Sequence, residues 1–82
     1  MAKHEVLTPI PGLFYRRPDP DSDPFVAEGD AVKAGDTIGL VEIMKNFQPV
    51  ESEAAGRLVE FLVADEDEVV AGQTVAVVDD GA

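Results

Sequence analysis

The sequence contains no cysteine and no tryptophan, and only one tyrosine and one histidine among its 82 residues. The absence of cysteine excludes disulfides, thiolate metal sites and cysteine nucleophiles, and it favours a reducing compartment such as the cytoplasm. A lone histidine, His4, leaves almost no imidazole for a transition-metal site. We expect His4 to be a frayed terminal residue instead of a catalytic base.

Basic residues and long apolar runs are also scarce. Six basic residues against 17 acidic ones give a net charge of −11, which repels nucleic acid and anionic lipid, so neither is an expected partner. Apolar runs such as Phe61–Ala64 reach only four residues, too short for a membrane span, and the start of the chain lacks the apolar stretch of a signal peptide. We expect one small cytoplasmic domain covering residues 1–82.

The chain contains an internal repeat. Val26–Glu42 aligns with Val63–Asp79 at a shift of 37, and eight of the 17 aligned pairs are identical, where chance would give about one or two. A second stretch, Pro11-Gly12-Leu13, resembles Ala55-Gly56-Arg57-Leu58 at a shift of 44. Two repeats are too few for a solenoid, so we predict a pseudo-two-fold domain in which each half covers the other.

The difference between the two shifts places seven extra residues in the first half of the chain. The segment 16–24, with the sequence Arg-Arg-Pro-Asp-Pro-Asp-Ser-Asp-Pro, lies in this insertion. Its three prolines and three aspartates cannot pair as a central strand. We predict a projecting loop.

Short runs rich in Val, Ile, Thr and Phe alternate with turn residues and predict an all-β fold, either two small sheets packed face to face or a flattened barrel. Pro49 indicates an edge strand or a bulge. The expected strands are Glu5–Thr8, Gly12–Tyr15, Phe25–Ala27, Thr37–Ile43, Phe47–Glu51, Gly56–Ala64 and Thr74–Val78, with short pieces near Val32 and Val69. The strand positions from which core residues are expected are Ile38, Leu40, Val59, Phe61, Val75 and Val77.

Few residues outside the repeat boundary carry recognisable chemistry. The run Asp65-Glu66-Asp67-Glu68 lacks the alternating ligands and central glycine of a calcium loop, and we interpret it as a solvated connection. Gly35 and Gly72 are expected in turns that need positive φ. No nucleophile, base and orienting group stand out, so we predict no catalytic residues and no metal site.

Lys45 lies where the two repeat halves join. Between two strands this joint predicts a tight hairpin, with Lys45 and Asn46 at its tip and Asn46 tolerating the left-handed conformation. A lysine base or Schiff-base nucleophile needs burial or a neighbouring cation, neither of which an exposed acidic turn supplies. An exposed lysine on a rigid support suits a tethering role instead.

The segment Val41-Glu42-Ile43-Met44-Lys45, with Gly35-Asp36-Thr37 before it and Ala55–Val59 after it, resembles the biotinyl/lipoyl-attachment domain family. Residues 14–20, leading to Phe25-Val26, are similar to the protruding thumb of biotin carboxyl carrier proteins from bacterial-type acetyl-CoA carboxylases. The resemblance extends from about Val6 to Val78. It implies a flattened β-barrel of two four-stranded sheets.

The resemblance also implies that Lys45 carries biotin, within an attachment hairpin at about residues 43–47. A biotin protein ligase would join biotin to Lys45, biotin carboxylase would carboxylate it, and carboxyltransferase would pass the carboxyl group to acetyl-CoA or another acyl-CoA. Such a carrier is not itself an enzyme, and it would serve malonyl-CoA and fatty acid synthesis. The implied site residues are Glu42, Ile43, Met44, Lys45 and Asn46 in the hairpin and Arg16, Arg17, Pro18, Asp19 and Pro20 in the thumb.

Three positions depart from the family pattern. Ile43 stands where the attachment motif usually has Ala, and Asn46 stands where it has a second Met. Arg17 replaces a frequent Thr in the thumb, so a thumb–biotin contact does not transfer to this chain. Arg17 is expected to pair with Asp19 or to donate to the biotin ring carbonyl, and surface pairing is the more common outcome for an exposed arginine.

Two other functions are consistent with the sequence. A lipoyl carrier of a 2-oxoacid dehydrogenase or glycine-cleavage complex would share the fold, although Met44 and the insertion count against it. An unmodified barrel could instead act as an assembly module. The mass added to Lys45 distinguishes all three.

Overall fold

The computed structural model describes residues 2–81, and these residues form eight β-strands and no helix. The strands make two four-stranded antiparallel sheets, in the orders β1-β8-β6-β3 and β5-β4-β2-β7. The prediction of an all-β fold with two four-stranded sheets is confirmed. The strands are β1 Lys3–Leu7, β2 Gly12–Tyr15, β3 Ala31–Val32, β4 Thr37–Ile43, β5 Asn46–Glu51, β6 Gly56–Phe61, β7 Glu68–Val69 and β8 Thr74–Asp79.

The two sheets pack face to face as a flattened sandwich whose edges are not joined into a closed barrel. Ile38 and Val75, two of the expected core residues, are fully buried. Val59 is 37% exposed because a β-bulge between Leu58 and Glu60 interrupts the alternation of β6. The buried apolar residues are Val6, Phe14, Val32, Ile38, Val41, Val50, Leu58, Val69, Val75, Ala76 and Val78.

The predicted repeat is visible in the topology. Exchanging β1 with β5, β2 with β6, β3 with β7 and β4 with β8 turns one sheet order into the other. The hydrogen bonds follow the same exchange: Gly29 N donates to Leu58 O at 2.7 Å, and Glu66 N donates to Phe14 O at 2.6 Å. Each sheet therefore combines two strands from each half of the chain, so neither half can complete a sheet alone.

Gly12 and Gly56 are equivalent positions where strands approach closely. A Cβ atom at Gly12 would lie 2.2 Å from Glu42 O, and one at Gly56 would lie 2.2 Å from Asp79 O. Only glycine fits where the backbones cross at this distance. These two contacts explain the glycines at the start of β2 and β6.

Two strand predictions were wrong, and the cause is the same in both halves. Phe25–Ala27 is not a strand, and β6 ends at Phe61 instead of continuing to Ala64. Asp30 Oδ2 accepts a hydrogen bond from Ala27 N at 2.9 Å, and Asp67 Oδ2 accepts one from Ala64 N at 2.8 Å. The aspartates thus take the backbone donors into local turns that compete with a strand ladder.

The two ends of the described chain meet beside β1 and β8. His4 lies in β1, and its Nε2 atom is 2.7 Å from Asp80 Oδ2, so the expectation of a frayed residue was wrong. Ala2 N donates to Asp80 Oδ1 at 3.2 Å, and Asp80 N donates to Ala2 O at 3.0 Å. Under the pseudo-two-fold exchange, this junction is the counterpart of the β4–β5 hairpin. Lys3 and His4 line a cavity with residues 52–54, which follow β5 at its end away from the hairpin, so the two lie at opposite ends of the sandwich.

Pro49 lies in β5, the edge strand of its sheet, in agreement with the edge prediction. None of residues 2–81 forms a helix with the length and apolarity that crossing a membrane requires.

Candidate functional site

The β4–β5 hairpin turns on two residues. Ile43 pairs with Asn46 across the hairpin, and the intervening Met44 and Lys45 have φ values of 50° and 66°. Positive φ at both central residues is the geometry of a type I′ turn, whose twist matches the flanking strands. The tip is therefore Met44-Lys45 and not the predicted Lys45-Asn46.

Asn46 begins β5, where its Nδ2 atom lies 3.5 Å from Met44 O. The error of one residue has a physical cause: a two-residue loop fits the strand twist better than a loop that includes Asn46. Asparagine tolerates the left-handed region, but the register of the hairpin places that conformation on Met44 and Lys45.

The Lys45 side chain is exposed, and among residues 2–81 no carboxylate forms an ion pair with it. Met44 beside it is 87% exposed, and Ile43 is 37% exposed. Left-handed backbone costs a residue with a side chain about 1–2 kcal/mol, so the flanking ladder must impose this conformation. The result is a primary amine exposed at the tip of a two-residue turn.

Glu42 lies on the outer face of the sheet that carries the hairpin, where a hydrogen bond fixes its side chain. Tyr15 Oη donates to Glu42 Oε1 at 3.1 Å, and the Tyr15 and Phe47 rings lie 6.1 Å apart at an angle of 47°. The hydrogen bond to Glu42 raises the pKa of Tyr15 above 10.0, with smaller contributions from burial and from the negative charges of Glu42, Glu66 and Asp65. Tyr15 of strand β2 thus holds the Glu42 side chain in place three positions before Lys45.

The insertion of residues 16–24 forms a loop closed at its base, where Phe25 N donates to Arg16 O at 2.9 Å. Within it, Asp19 organises a turn. Its carboxylate accepts from Asp21 N at 3.0 Å and from Ser22 Oγ at 2.9 Å. We call residues 16–24 the thumb.

Both thumb arginines contact the sandwich. The Arg16 guanidinium lies 3.9 Å from the centroid of the Phe61 ring, a cation–π contact. Arg17 Nε lies 3.8 Å from Asp65 Oδ2, and its Nη1 donates to Ser22 O at 3.4 Å. The expected pairing of Arg17 with Asp19 was wrong, because Asp19 is occupied by the turn of the thumb.

Asp65 is a residue whose role sequence reasoning missed. Its Oδ1 atom accepts from Arg16 N at 2.8 Å while its Oδ2 atom faces Arg17. It therefore ties the base of the thumb to the loop after β6, in a run that was interpreted only as a solvated connection. No local pattern could reveal this, because the partners are 49 positions apart.

A cleft of about 330 Å³ separates the thumb from the outer face of the hairpin sheet. This volume lies in the range of small-molecule sites, and its walls combine aromatic and proline rings with charged groups. Phe47 brings the cleft to within two positions of Lys45 along the chain. The lining residues are Tyr15, Arg17, Pro18, Asp19, Pro20, Phe47, Asp65 and Glu66.

The arrangement suits covalent attachment more than catalysis by the chain itself. Within residues 2–81, no group of three or more His, Cys, Asp or Glu side chains could hold a metal ion. The exposed amine can be acylated without displacing any protein contact, and the adjoining cleft can receive part of what is attached.

Known proteins are similar to this chain in sequence and in fold. A family model described as biotin-requiring enzyme matches residues 4–78. The biotin carboxyl carrier protein of acetyl-CoA carboxylase from Pyropia yezoensis is 40% identical over 68 residues, covering 83% of this chain and 43% of the relative. The protein of the same name from Streptococcus pyogenes is 41% identical over 68 residues, covering 83% of this chain and 41% of the relative.

The Kluyveromyces lactis urea carboxylase structure superposes with a TM-score of 0.80 at 29% identity, covering 96% of this chain and 6% of that one. The chain therefore spans less than half the length of the two curated relatives and a small part of urea carboxylase.

Proposed function

This chain belongs to the family of biotin-requiring enzymes, and from that premise we propose that it is a biotin carrier domain with Lys45 as the attachment site. One observation carries the assignment: Lys45 lies exposed at the tip of a two-residue turn that joins the two repeat halves. The attachment hairpin is residues 43–47, within a single carrier domain of residues 1–82.

Lys45 acts as the acceptor of an activated acyl group. An amide bond forms between Nζ and the biotin carboxyl carbon, the amine loses a proton, and the activated carboxyl loses its leaving group. A biotin protein ligase catalyses this step. Ile43 and Asn46 close the ladder behind the turn, Met44 shares its left-handed conformation, and Glu42 is braced by Tyr15.

The relatives named as biotin carboxyl carrier proteins of acetyl-CoA carboxylase support the wider role. Biotin held on Lys45 would supply a ureido nitrogen able to carry a carboxyl group between two active sites. The domain serves biotin carboxylase and carboxyltransferase in the cytoplasm, for carboxylation of acetyl-CoA or another acyl-CoA. Tethering raises the effective concentration of the attached biotin at both active sites.

The thumb is proposed to form one wall of the cleft beside the attachment turn. Pro18 and Pro20 provide apolar surface opposite Tyr15 and Phe47, while Arg17 and Asp19 provide polar groups at the rim. Arg16 anchors the base of this wall through Phe61. These residues confine the space open to the attached group without reacting with it.

A ligase assay tests the proposal. The purified chain is incubated with a biotin protein ligase, ATP and biotin, and its intact mass is measured. We expect one biotinyl group on the native chain and on Lys33→Arg, a control at another exposed lysine, and none on Lys45→Arg. Equal labelling of Lys45→Arg, or no labelling by any ligase, would overturn the assignment.

The same assay separates the lipoyl alternative. Lipoate with a lipoate ligase replaces biotin and its ligase, and the masses are compared. Lipoylation of Lys45 without biotinylation would make the chain a lipoyl carrier, and absence of both would favour an unmodified assembly module. The relatives named for biotin support a third outcome, biotinylation of Lys45 without lipoylation.

A further inference from the structure

Two sheet edges face each other across a groove on one flank of the sandwich. β1 is the edge of one sheet and β5 the edge of the other, and no ladder joins them. Two adjoining cavities, of about 480 and about 420 Å³, occupy the gap and share Leu7, Ser52 and Glu53. The groove does not include the Met44-Lys45 turn.

The β1 edge has unused backbone hydrogen-bonding groups. Asp80 N donates to Ala2 O, so Ala2 and Asp80 are a hydrogen-bonded pair. In an antiparallel ladder such pairs alternate with non-bonded ones, so Lys3 and Glu5 direct their N–H and C=O groups away from β8. Within residues 2–81 no strand pairs with that side of β1.

The equivalent edge of β5 is interrupted by a proline. Pro49 is the counterpart of Glu5 at the shift of 44. Ile43 and Asn46 form a hydrogen-bonded pair, so by the same alternation Leu40 and Pro49 form a non-bonded pair. The backbone nitrogen of Pro49 therefore points to the free edge, and it carries no hydrogen to donate. The other two edges, β3 and β7, are only two residues long. Among the described strands, β1 is thus the long edge strand without a proline.

The charge of the groove selects the kind of partner. Glu5, Glu51 and Glu53 line it against a single lysine, Lys3, so its carboxylates outnumber its ammonium groups. Within residues 2–81 none of the three glutamates takes part in an ion pair. The only histidine, His4, is engaged with Asp80. A second copy would bring a net charge of −11 against another −11, so a basic partner is the complementary one.

We propose that the β1 edge accepts an extended basic segment of a partner protein as an added strand. Main-chain hydrogen bonds to Lys3 and Glu5 hold the segment, and its basic side chains meet Glu51 and Glu53 across the groove. A partner bound there leaves Lys45 accessible. The carrier domain can therefore be retained on a partner while its attachment turn stays free.

A capped peptide of alternating lysine and threonine is the probe, titrated into the isotope-labelled chain and followed by amide NMR. We expect saturable shifts in β1 and β5 and slowed amide exchange at Lys3 and Glu5. Glu5→Pro is expected to weaken binding at least about tenfold, the loss of about 1.4 kcal/mol that one or two hydrogen bonds supply. The fold should tolerate this change because Pro49 occupies the equivalent position.

Two further probes keep the test decisive. A peptide of alternating glutamate and threonine should not bind. The lysine–threonine peptide with methylated backbone nitrogens should not bind the native chain either, and this second test does not depend on whether Glu5→Pro folds. The proposal is overturned by no saturable shift at millimolar peptide, by equal binding of the N-methylated or acidic peptide, or by shifts centred on Met44-Lys45. Ligase labelling of Lys45 in Glu5→Pro separately tests the carrier assignment.

Discussion

The hydroxyl groups of Thr8 and Ser52 occupy equivalent positions in the two halves of the chain and make the same two hydrogen bonds. Thr8 Oγ1 donates to Ile10 O at 2.7 Å and accepts from Ile10 N at 3.4 Å. Ser52 Oγ donates to Ala54 O at 2.6 Å and accepts from Ala54 N at 3.3 Å. Both side chains are buried, so each hydroxyl satisfies backbone groups that water does not reach.

Removing either hydroxyl should destabilise the fold. Ser52→Ala leaves the Ala54 backbone groups without their partner, and we expect a loss of about 1–3 kcal/mol in the free energy of unfolding. Chemical denaturation measures it. Ser22→Ala is the matched control, since that hydroxyl makes its hydrogen bond at the surface of the thumb. Similar losses in both variants would contradict the role assigned to burial.

Replacing Glu66 with glycine should stabilise the folded protein. It has φ of 70°, and its repeat counterpart is Gly29, with φ of 94°. Glu66→Gly relieves left-handed strain, partly offset by the greater freedom of glycine in the unfolded chain, for a net gain of about 0.5–1 kcal/mol. Thermal unfolding measures it.

The control for this prediction is Glu66→Ala, which removes the charge but keeps the strain, and it should change little. Gly29→Ala should lose about 1 kcal/mol from strain alone, because a Cβ there meets nothing within 4 Å. A gain in Glu66→Ala as large as that in Glu66→Gly would attribute the effect to charge.

Tyr15 should titrate above pH 10.0, because its hydrogen bond to Glu42 raises its pKa. As the only tyrosine in a chain without tryptophan, it gives a single tyrosinate absorbance signal. Glu42→Gln keeps an acceptor but removes the charge, and it should move the midpoint down towards 10.0.

The raised pKa also fixes a direction for stability. The folded state favours the neutral phenol, so the stabilisation by Tyr15 is fully present below its unfolded pKa and is lost as pH rises through the higher folded pKa. The difference in unfolding free energy between the native chain and Tyr15→Phe should therefore decline only in that alkaline window. A decline beginning near neutral pH would contradict this assignment.

Asp65 should control the motion of the thumb. Asp65→Ala removes the acceptor of Arg16 N and the partner of Arg17. We expect the free energy of opening the thumb to fall by about 1–2 kcal/mol, which would speed amide exchange at Ser22 and Phe25 by about 5- to 30-fold. Asp23→Ala, which removes a carboxylate from the thumb itself, is the control and should leave these rates nearly unchanged.

The fold was predictable where one stretch of sequence contains the reason for its structure. The repeat, the strands of β2 and β4 and the joint at Lys45 follow from residue types and spacing. The absence of a strand at Phe25–Ala27 depends on Asp30, whose carboxylate accepts from Ala27 N, and the apolar pattern of residues 25–27 does not reveal this competition. The tie between Asp65 and the thumb joins distant segments, so only the folded chain brings it together.

The junction of Ala2 with Asp80 determines how the domain can be connected to anything else. Any polypeptide continuing from either end would leave from the pole opposite the Met44-Lys45 turn, through two neighbouring strands. Such a linker could change its conformation without obstructing the access of an enzyme to the Lys45 amine. Cutting the hairpin and linking the two ends would reverse this polarity, placing the tether where cargo is loaded.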